Sequence, residues 1–196
     1  KAAHMESLLI LIDRDENVLG YGEKMSVHKE GLLHKAFSVF VADDYDRILL
    51  QKRALCKYHS GGKWSNTCCS HLYKDEDYGT AIRRTFLDEL GILIPDLRID
   101  SFSEGGRLDV GIPLYIDRFY YFSQYDGLSE HEIDHVFLYK PDSRLFSALT
   151  PNPQEVSELR WFSMADIESM LAKRPADFSS WFPQAFRIAM KGFSNR

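Results

Sequence analysis

Long apolar runs are missing from this chain of 196 residues. None approaches the roughly 20 consecutive apolar residues that a helix needs to cross a bilayer, so no membrane-spanning segment is expected. A leader of charged and then apolar residues is missing too. Lys1-Ala2-Ala3-His4 ahead of Met5 reads as a cloning remnant, which leaves residues 5–196 as one domain. Positive charge is in short supply: 24 Lys and Arg against 29 Asp and Glu give a net charge of −5. That balance argues against non-specific binding to nucleic acid or an anionic membrane surface, while local basic clusters could still grip a small anionic substrate. Cysteine is scarce as well. Of the three, Cys56, Cys68 and Cys69, two are adjacent and cannot easily reach ordinary disulfide geometry, so a reducing cytoplasm is expected and a disulfide framework is not. Repeats, low-complexity tracts and linkers are absent. With 44% hydrophobic and 27% charged residues, the chain has the composition of a soluble globular protein with a full core.

Apolar, β-prone runs come early. Leu8–Asp13 and Val18–Tyr21 flank the turn-rich segment Asp13-Arg14-Asp15-Glu16-Asn17 and predict a hairpin. Ala36–Ala42 and Ile48–Lys52, separated by Asp43-Asp44-Tyr45-Asp46, predict a second. Lys57–Lys63, with Gly61-Gly62, reads as a loop, and Trp64–Cys69 as a short extended segment. The clearest helix runs over Asp77–Leu90: Ala81, Ile82, Thr85, Phe86 and Leu90 recur at helical spacing, and Gly91 stands where a C-terminal cap belongs. Arg118–Ser123, Ile133–Tyr139 and Val156–Phe162 read as strands, and Ala165–Lys173 and Ser180–Lys191 as helices. Such an order predicts an α/β (α+β) domain, a mixed sheet sandwiched between helices.

Chemistry concentrates in a few segments. Asn66-Thr67-Cys68-Cys69-Ser70-His71 brings a thiol and an imidazole together. Asp88-Glu89 closes the predicted helix, Glu130-His131-Glu132 lies in a later strand, and His28 and His34 stand upstream. Imidazoles and carboxylates together hold divalent metals, and a cysteine left off the metal stays free to move a proton.

Ser70-x5-Glu76-x7-Arg84-Thr85-Phe86-Leu87-Asp88-Glu89-Leu90-Gly91-Ile92 resembles the Nudix box, Gly-x5-Glu-x7-Arg-Glu-U-x-Glu-Glu-x-Gly-U with U aliphatic. It departs at Ser70, Thr85 and Asp88. Losing a glutamate at Thr85 puts hydrolysis in doubt and leaves diphosphate binding open. Together with the Cys-Cys-Ser-His and Glu-His-Glu-Ile-Asp segments, Leu33-His34-Lys35-Ala36-Phe37-Ser38, Lys52-Arg53-Ala54-Leu55 and Ser180-Trp181-Phe182, the pattern resembles type 1 isopentenyl-diphosphate isomerases, a non-hydrolytic Nudix branch, from about Leu8 to Met190. The resemblance implies a Nudix-like fold and interconversion of isopentenyl and dimethylallyl diphosphates in isoprenoid biosynthesis. His28, His34, His71, Glu130 and Glu132 match ligands of one divalent metal, suited to manganese, magnesium or zinc. His28 is the least secure of these because its spacing to His34 departs from that of some relatives. Glu89 matches the holder of a magnesium ion brought with the substrate diphosphate, and Lys24, Arg53 and Lys57 match the basic grip on that diphosphate.

Moving an unactivated double bond requires a proton added at one carbon and another removed two carbons away, through a tertiary carbocation. Cys69 and Glu132 match the two acid/base residues, on opposite faces of the alkene. Trp64, five residues before Cys69, offers a π face to the cation. A tyrosine also belongs in the site; counting from Glu130 gives Tyr120, anchoring on Gln124-Tyr125-Asp126-Gly127 gives Tyr121, and Tyr121 is favoured.

Plainer readings stand beside these. His4, His59 and His135 read as surface or core filler, and Trp64 can be read as core. Alternation along a strand turns His131 away from Glu130 and Glu132, and Cys68 away from Cys69; Cys56 reads as structural. Trp181, Phe182, Phe186 and Phe193 have packing periodicity, with Trp181 able to help close the pocket. Lys57 can be read as plain loop surface, and Arg84 as the residue that orients the box carboxylates. The functional alternatives are a Nudix hydrolase of a nucleoside diphosphate derivative and a catalytically idle Nudix-fold binder. The expected partner is a small allylic or homoallylic diphosphate, with the protein a monomer or weak dimer.

Overall fold

The computed structural model describes residues 7–101 and 108–193; the expectation for residues 1–4 lies outside them. Two strands, β1 (Leu8–Ile12) and β2 (Val18–Glu23), form the first hairpin, and a helix, α1 (Lys24–Glu30), follows it directly. Next come β3 (His34–Ala42), β4 (Ile48–Arg53), the short β5 (Trp64–Ser65) and β6 (Cys68–His71). Helix α2 (Tyr78–Leu90) precedes β7 (Asp100–Ser101), β8 (Leu114–Tyr125), β9 (Leu128–Tyr139) and β10 (Val156–Phe162). Helices α3 (Met164–Lys173) and α4 (Phe182–Met190) follow.

The ten strands among the described residues belong to one mixed sheet, with β10-β4-β3-β9-β8-β7 as its backbone order and β6 paired to β3. Strand β3 shows how the sheet is covered. Phe37, Val39 and Val41 join one core cluster with Ala81, Ile82, Phe86 and Leu90 of α2, while Phe40 and Ala42 join another with Phe182, Ala185, Phe186 and Ala189 of α4. The period-2 alternation of a strand therefore feeds two separate cores, and the sheet is a filling between helices as its pattern predicts. Phe86 is fully buried, so truncating it to alanine would cost about 3–5 kcal/mol.

Helix α2 starts at the cap Asp77, whose carboxylate accepts from Thr80 N at 2.7 Å. It ends at Gly91, whose φ of 68° is left-handed and whose Cβ, if present, would stand 2.2 Å from Thr150 Oγ1; only glycine fits both demands. Helix α1 has no counterpart in the sequence pattern. It has seven residues, of which only Val27 and His28 are buried, too few for an apolar stripe to register. Its start is set by Glu23, whose carboxylate accepts from Met25 N and Ser26 N, both at 2.9 Å. The left-handed Gly31 stops it.

Candidate active site

Three strands and one short helix converge on one point. Strand β3 pairs in parallel with β9, setting His34 opposite Glu132, and antiparallel with β6, setting Ala36 opposite His71. On β9 the residues Glu130, Glu132 and Asp134 share a face by alternation. Helix α1 adds His28, one turn after Lys24. One donor atom from each of His28, His34, His71, Glu130 and Glu132 lies within 4.8 Å of the others, and all five residues are buried.

The second nitrogens of the rings show what the arrangement is for. His28 Nδ1 lies 2.6 Å from Lys24 O and His34 Nδ1 2.8 Å from Leu32 O. A carbonyl only accepts, so both Nδ1 atoms carry the proton, and in the neutral rings both Nε2 atoms present a lone pair. Those Nε2 atoms are buried with no hydrogen-bond partner. They face carboxylates: His28 Nε2 is 3.4 Å from Glu130 Oε2, and His34 Nε2 is 3.5 Å from Glu132 Oε1. Burial lowers the pKa of His34, and that of His71 to about 4. Burial also raises Glu132, reinforced by the charge of Glu130. Burial works against the charge of Glu130 as well, yet its neighbours Glu132, His28, His59 and His71 hold it well below the usual carboxylate range. Lone pairs and carboxylates turned on one another inside a buried pocket suit a divalent cation, and an outward Nδ1–H···O=C bond is the usual way to orient an imidazole ligand.

The cluster opens into a cavity of about 160 Å³ whose wall includes Cys69, Glu89, Asp134 and Trp181 as well as Lys24, Arg53 and Lys57. Cys69 is half-buried, and burial pushes its thiol up, so it is protonated at neutral pH. Neighbouring Cys68 is fully buried among apolar groups on the other face of β6. Glu89 accepts from Gln51 Nε2 at 2.9 Å, and burial raises it to about 7. Arg53 is buried with Nε unpartnered, which leaves a donor for an anion. Lys57, by contrast, is engaged by Glu155 at 2.5 Å. Arg84 clamps Glu76 through Nε at 2.7 Å and Nη2 at 2.9 Å while Nη2 also donates to His71 O at 3.0 Å; this ties α2 to the end of β6.

Some expected residues are placed elsewhere. Trp64 does not line the cavity. It is 7% exposed in the core, edge-on to Phe162 at 5.1 Å; Trp181 is the tryptophan on the cavity wall. Tyr121 does not line the cavity either; it lies opposite Glu132 in the β8–β9 register, buried, with its hydroxyl 2.6 Å from Ser180 Oγ. Tyr120 faces the other way, with Arg14 3.9 Å over its ring. His59, read as filler, is a correction: its Nε2 is 2.5 Å from Glu130 Oε1 inside the cavity. Cys56 is exposed. Asp134 was not singled out either. It accepts from Ser38 Oγ at 2.8 Å, and burial pushes it up to about 7; its place two residues beyond Glu132 was the available signal.

Comparison with known proteins shows the family. The NUDIX domain model matches residues 32–182. Isopentenyl-diphosphate Delta-isomerase 2 of Aromatoleum aromaticum is 38% identical over 178 residues, 90% of this chain and 83% of that one. The Isopentenyl-diphosphate Delta-isomerase of Photobacterium profundum is 37% identical over 196 residues, 98% of this chain and 99% of that one. A crystal structure from Deinococcus radiodurans superposes with a TM-score of 0.67 at 16% identity, over 92% of this chain and 98% of that one, and supports the fold alone. The chain belongs to the NUDIX domain family and, within it, to the isopentenyl-diphosphate Delta-isomerases.

Proposed function

We propose that this protein interconverts isopentenyl diphosphate and dimethylallyl diphosphate by protonation and deprotonation through a tertiary carbocation, serving isoprenoid biosynthesis. The observation that carries the reading is a protonated thiol, Cys69, and a buried carboxylate, Glu132, on the wall of one small cavity that also holds cationic side chains. In the isomerising direction one of the two gives a proton to the terminal alkene carbon, and the other takes one from the carbon two bonds away. Trp181, on the wall, turns a π surface to the cation between these steps. Tyr121, across from Glu132 in the register, holds Ser180, next to Trp181 in the chain, through its hydroxyl. Trp64 supports the wall from behind.

His28, His34, His71, Glu130 and Glu132 would hold one divalent ion, Mn2+, Mg2+ or Zn2+; bound there, it sets the acidity of Glu132. Glu89 would hold Mg2+ arriving with the diphosphate, an ion that commonly keeps its waters and needs few protein ligands. Lys24 and Arg53 grip the diphosphate, and Lys57 joins them by exchanging its Glu155 partner for phosphate oxygens. The three free cysteines fit a cytoplasmic enzyme, working as a monomer or weak dimer on a small diphosphate.

A Nudix hydrolase needs a fuller set of box carboxylates. Here the Thr85 hydroxyl donates back to Ala81 O at 2.9 Å, and Glu76 is engaged by Arg84. The test is incubation of purified protein with isopentenyl diphosphate and a divalent metal. Dimethylallyl diphosphate without phosphate release is the expected product; release of phosphate or pyrophosphate in its place would overturn the reading.

A further inference from the structure

The two oxygens of Glu130 have different surroundings. Oε2 faces the imidazole cluster, 3.4 Å from His28 Nε2 and 3.7 Å from His71 Nε2. Oε1 is met by His59 Nε2 at 2.5 Å. His59 belongs to none of the elements that build the cluster; it sits on the loop between β4 and β5, yet is only 8% exposed. Its Nδ1 is 3.4 Å from Ser60 Oγ. A neutral ring with its proton on Nε2 satisfies both contacts, donating to Glu130 and accepting from the serine hydroxyl. Packing holds the ring in this pose. It stacks on Tyr125 with centroids 4.7 Å apart and planes 21° apart, and it stands edge-on to Trp181 at 5.7 Å and Tyr58 at 4.6 Å.

We propose that His59 is a positioning residue of the metal site, fixing Glu130 so that Oε2 is the oxygen presented to the ion. This rests on the reading of the five-residue cluster as a metal site. A glutamate has three rotatable bonds and two equivalent oxygens. Unless the outer oxygen is tied, the carboxylate can turn away or offer both oxygens, and the pocket loses its preset geometry. The tie comes from a loop that also carries Lys57 and Tyr58 to the cavity wall, so it joins the metal cluster to the diphosphate grip.

Zn2+ and Mn2+ affinities of the parent, His59→Ala, His59→Gln and His28→Ala, measured by competition with a chromophoric chelator, test this. Loss of an outer-sphere partner typically weakens metal binding about 10–100-fold, which is the fall expected for His59→Ala. His59→Gln can place an amide N–H where Nε2 stands and should keep most of the affinity. Thermal unfolding with and without metal checks that each variant folds and reads the affinity a second time. Parent-like binding by His59→Ala, with His28→Ala impaired, would overturn the inference; so would His59→Gln falling as far as His59→Ala. Parent-like binding by His28→Ala would instead remove the cluster reading itself, and the inference with it.

Discussion

Strand β9 sends titratable side chains to both of its faces, and the two faces accommodate them differently. On one, His131 has Nδ1 2.7 Å from Gly31 O and Nε2 2.9 Å from the Tyr120 hydroxyl, and His135 has Nε2 2.6 Å from Glu16 Oε1. Each imidazole there meets ordinary protein partners. On the other face Glu130 and Glu132 meet four imidazoles, His28, His34, His59 and His71, and the Nε2 atoms of His28 and His34 are buried without a hydrogen bond. A buried polar group that is satisfied fastens elements together; lone pairs turned on one another make a place for a cation. Strand β6 repeats the contrast with one residue type, since Cys68 is sealed in the core and Cys69 lines the cavity.

The largest effect is expected on β6. Cys69→Ala should lower kcat by about 10⁴-fold, the upper end for general acid–base catalysis, with substrate binding largely kept. Cys68→Ala should leave kcat near the parent's. Equal losses would erase the distinction between the two faces. Glu132→Gln should weaken divalent metal binding by more than the roughly 100-fold that an outer-sphere loss can reach. His131→Ala, one residue away on the opposite face, should leave it unchanged; titration of both variants decides.

Glu89→Gln should raise the KM for isopentenyl diphosphate and its magnesium requirement about tenfold, a loss of roughly 1.4 kcal/mol in binding, with no phosphate release from parent or variant. Thr85→Glu should not create a hydrolase, because the pocket excludes water around the cation. Nucleotide turnover at about one per second or faster would contradict this. The smallest effect belongs to the satisfied face. His135→Ala should cost about 1 kcal/mol in urea unfolding, the low end for an orphaned buried partner because Glu16 keeps Arg118, and it should leave kcat alone.

Segments whose information is local were legible in the sequence. Helix α2 declared itself by spacing and its glycine cap, and the strands by apolar, β-prone runs with turns between them. The residues of the imidazole–carboxylate cluster stood out because such side chains recur in short, recognisable strings. Tertiary structure decided what depends on approach from a distance. Helix α1 was invisible because seven residues carry no period, although it delivers Lys24 and His28. Which indole stands at the cavity wall turned on how Phe178 and Ser179, just before α4, join β5, and which of Tyr120 and Tyr121 faces inward turned on the β8–β9 register. His59 looked like filler because its partner, Glu130, lies 71 positions further along, and only the folded loop brings ring and carboxylate together. The sequence by itself determined the donor set and the alternation that sorts it onto faces. Pairing of distant strands decided which donors share one point, because strand register and loop path are set by contacts that no neighbouring residue can announce.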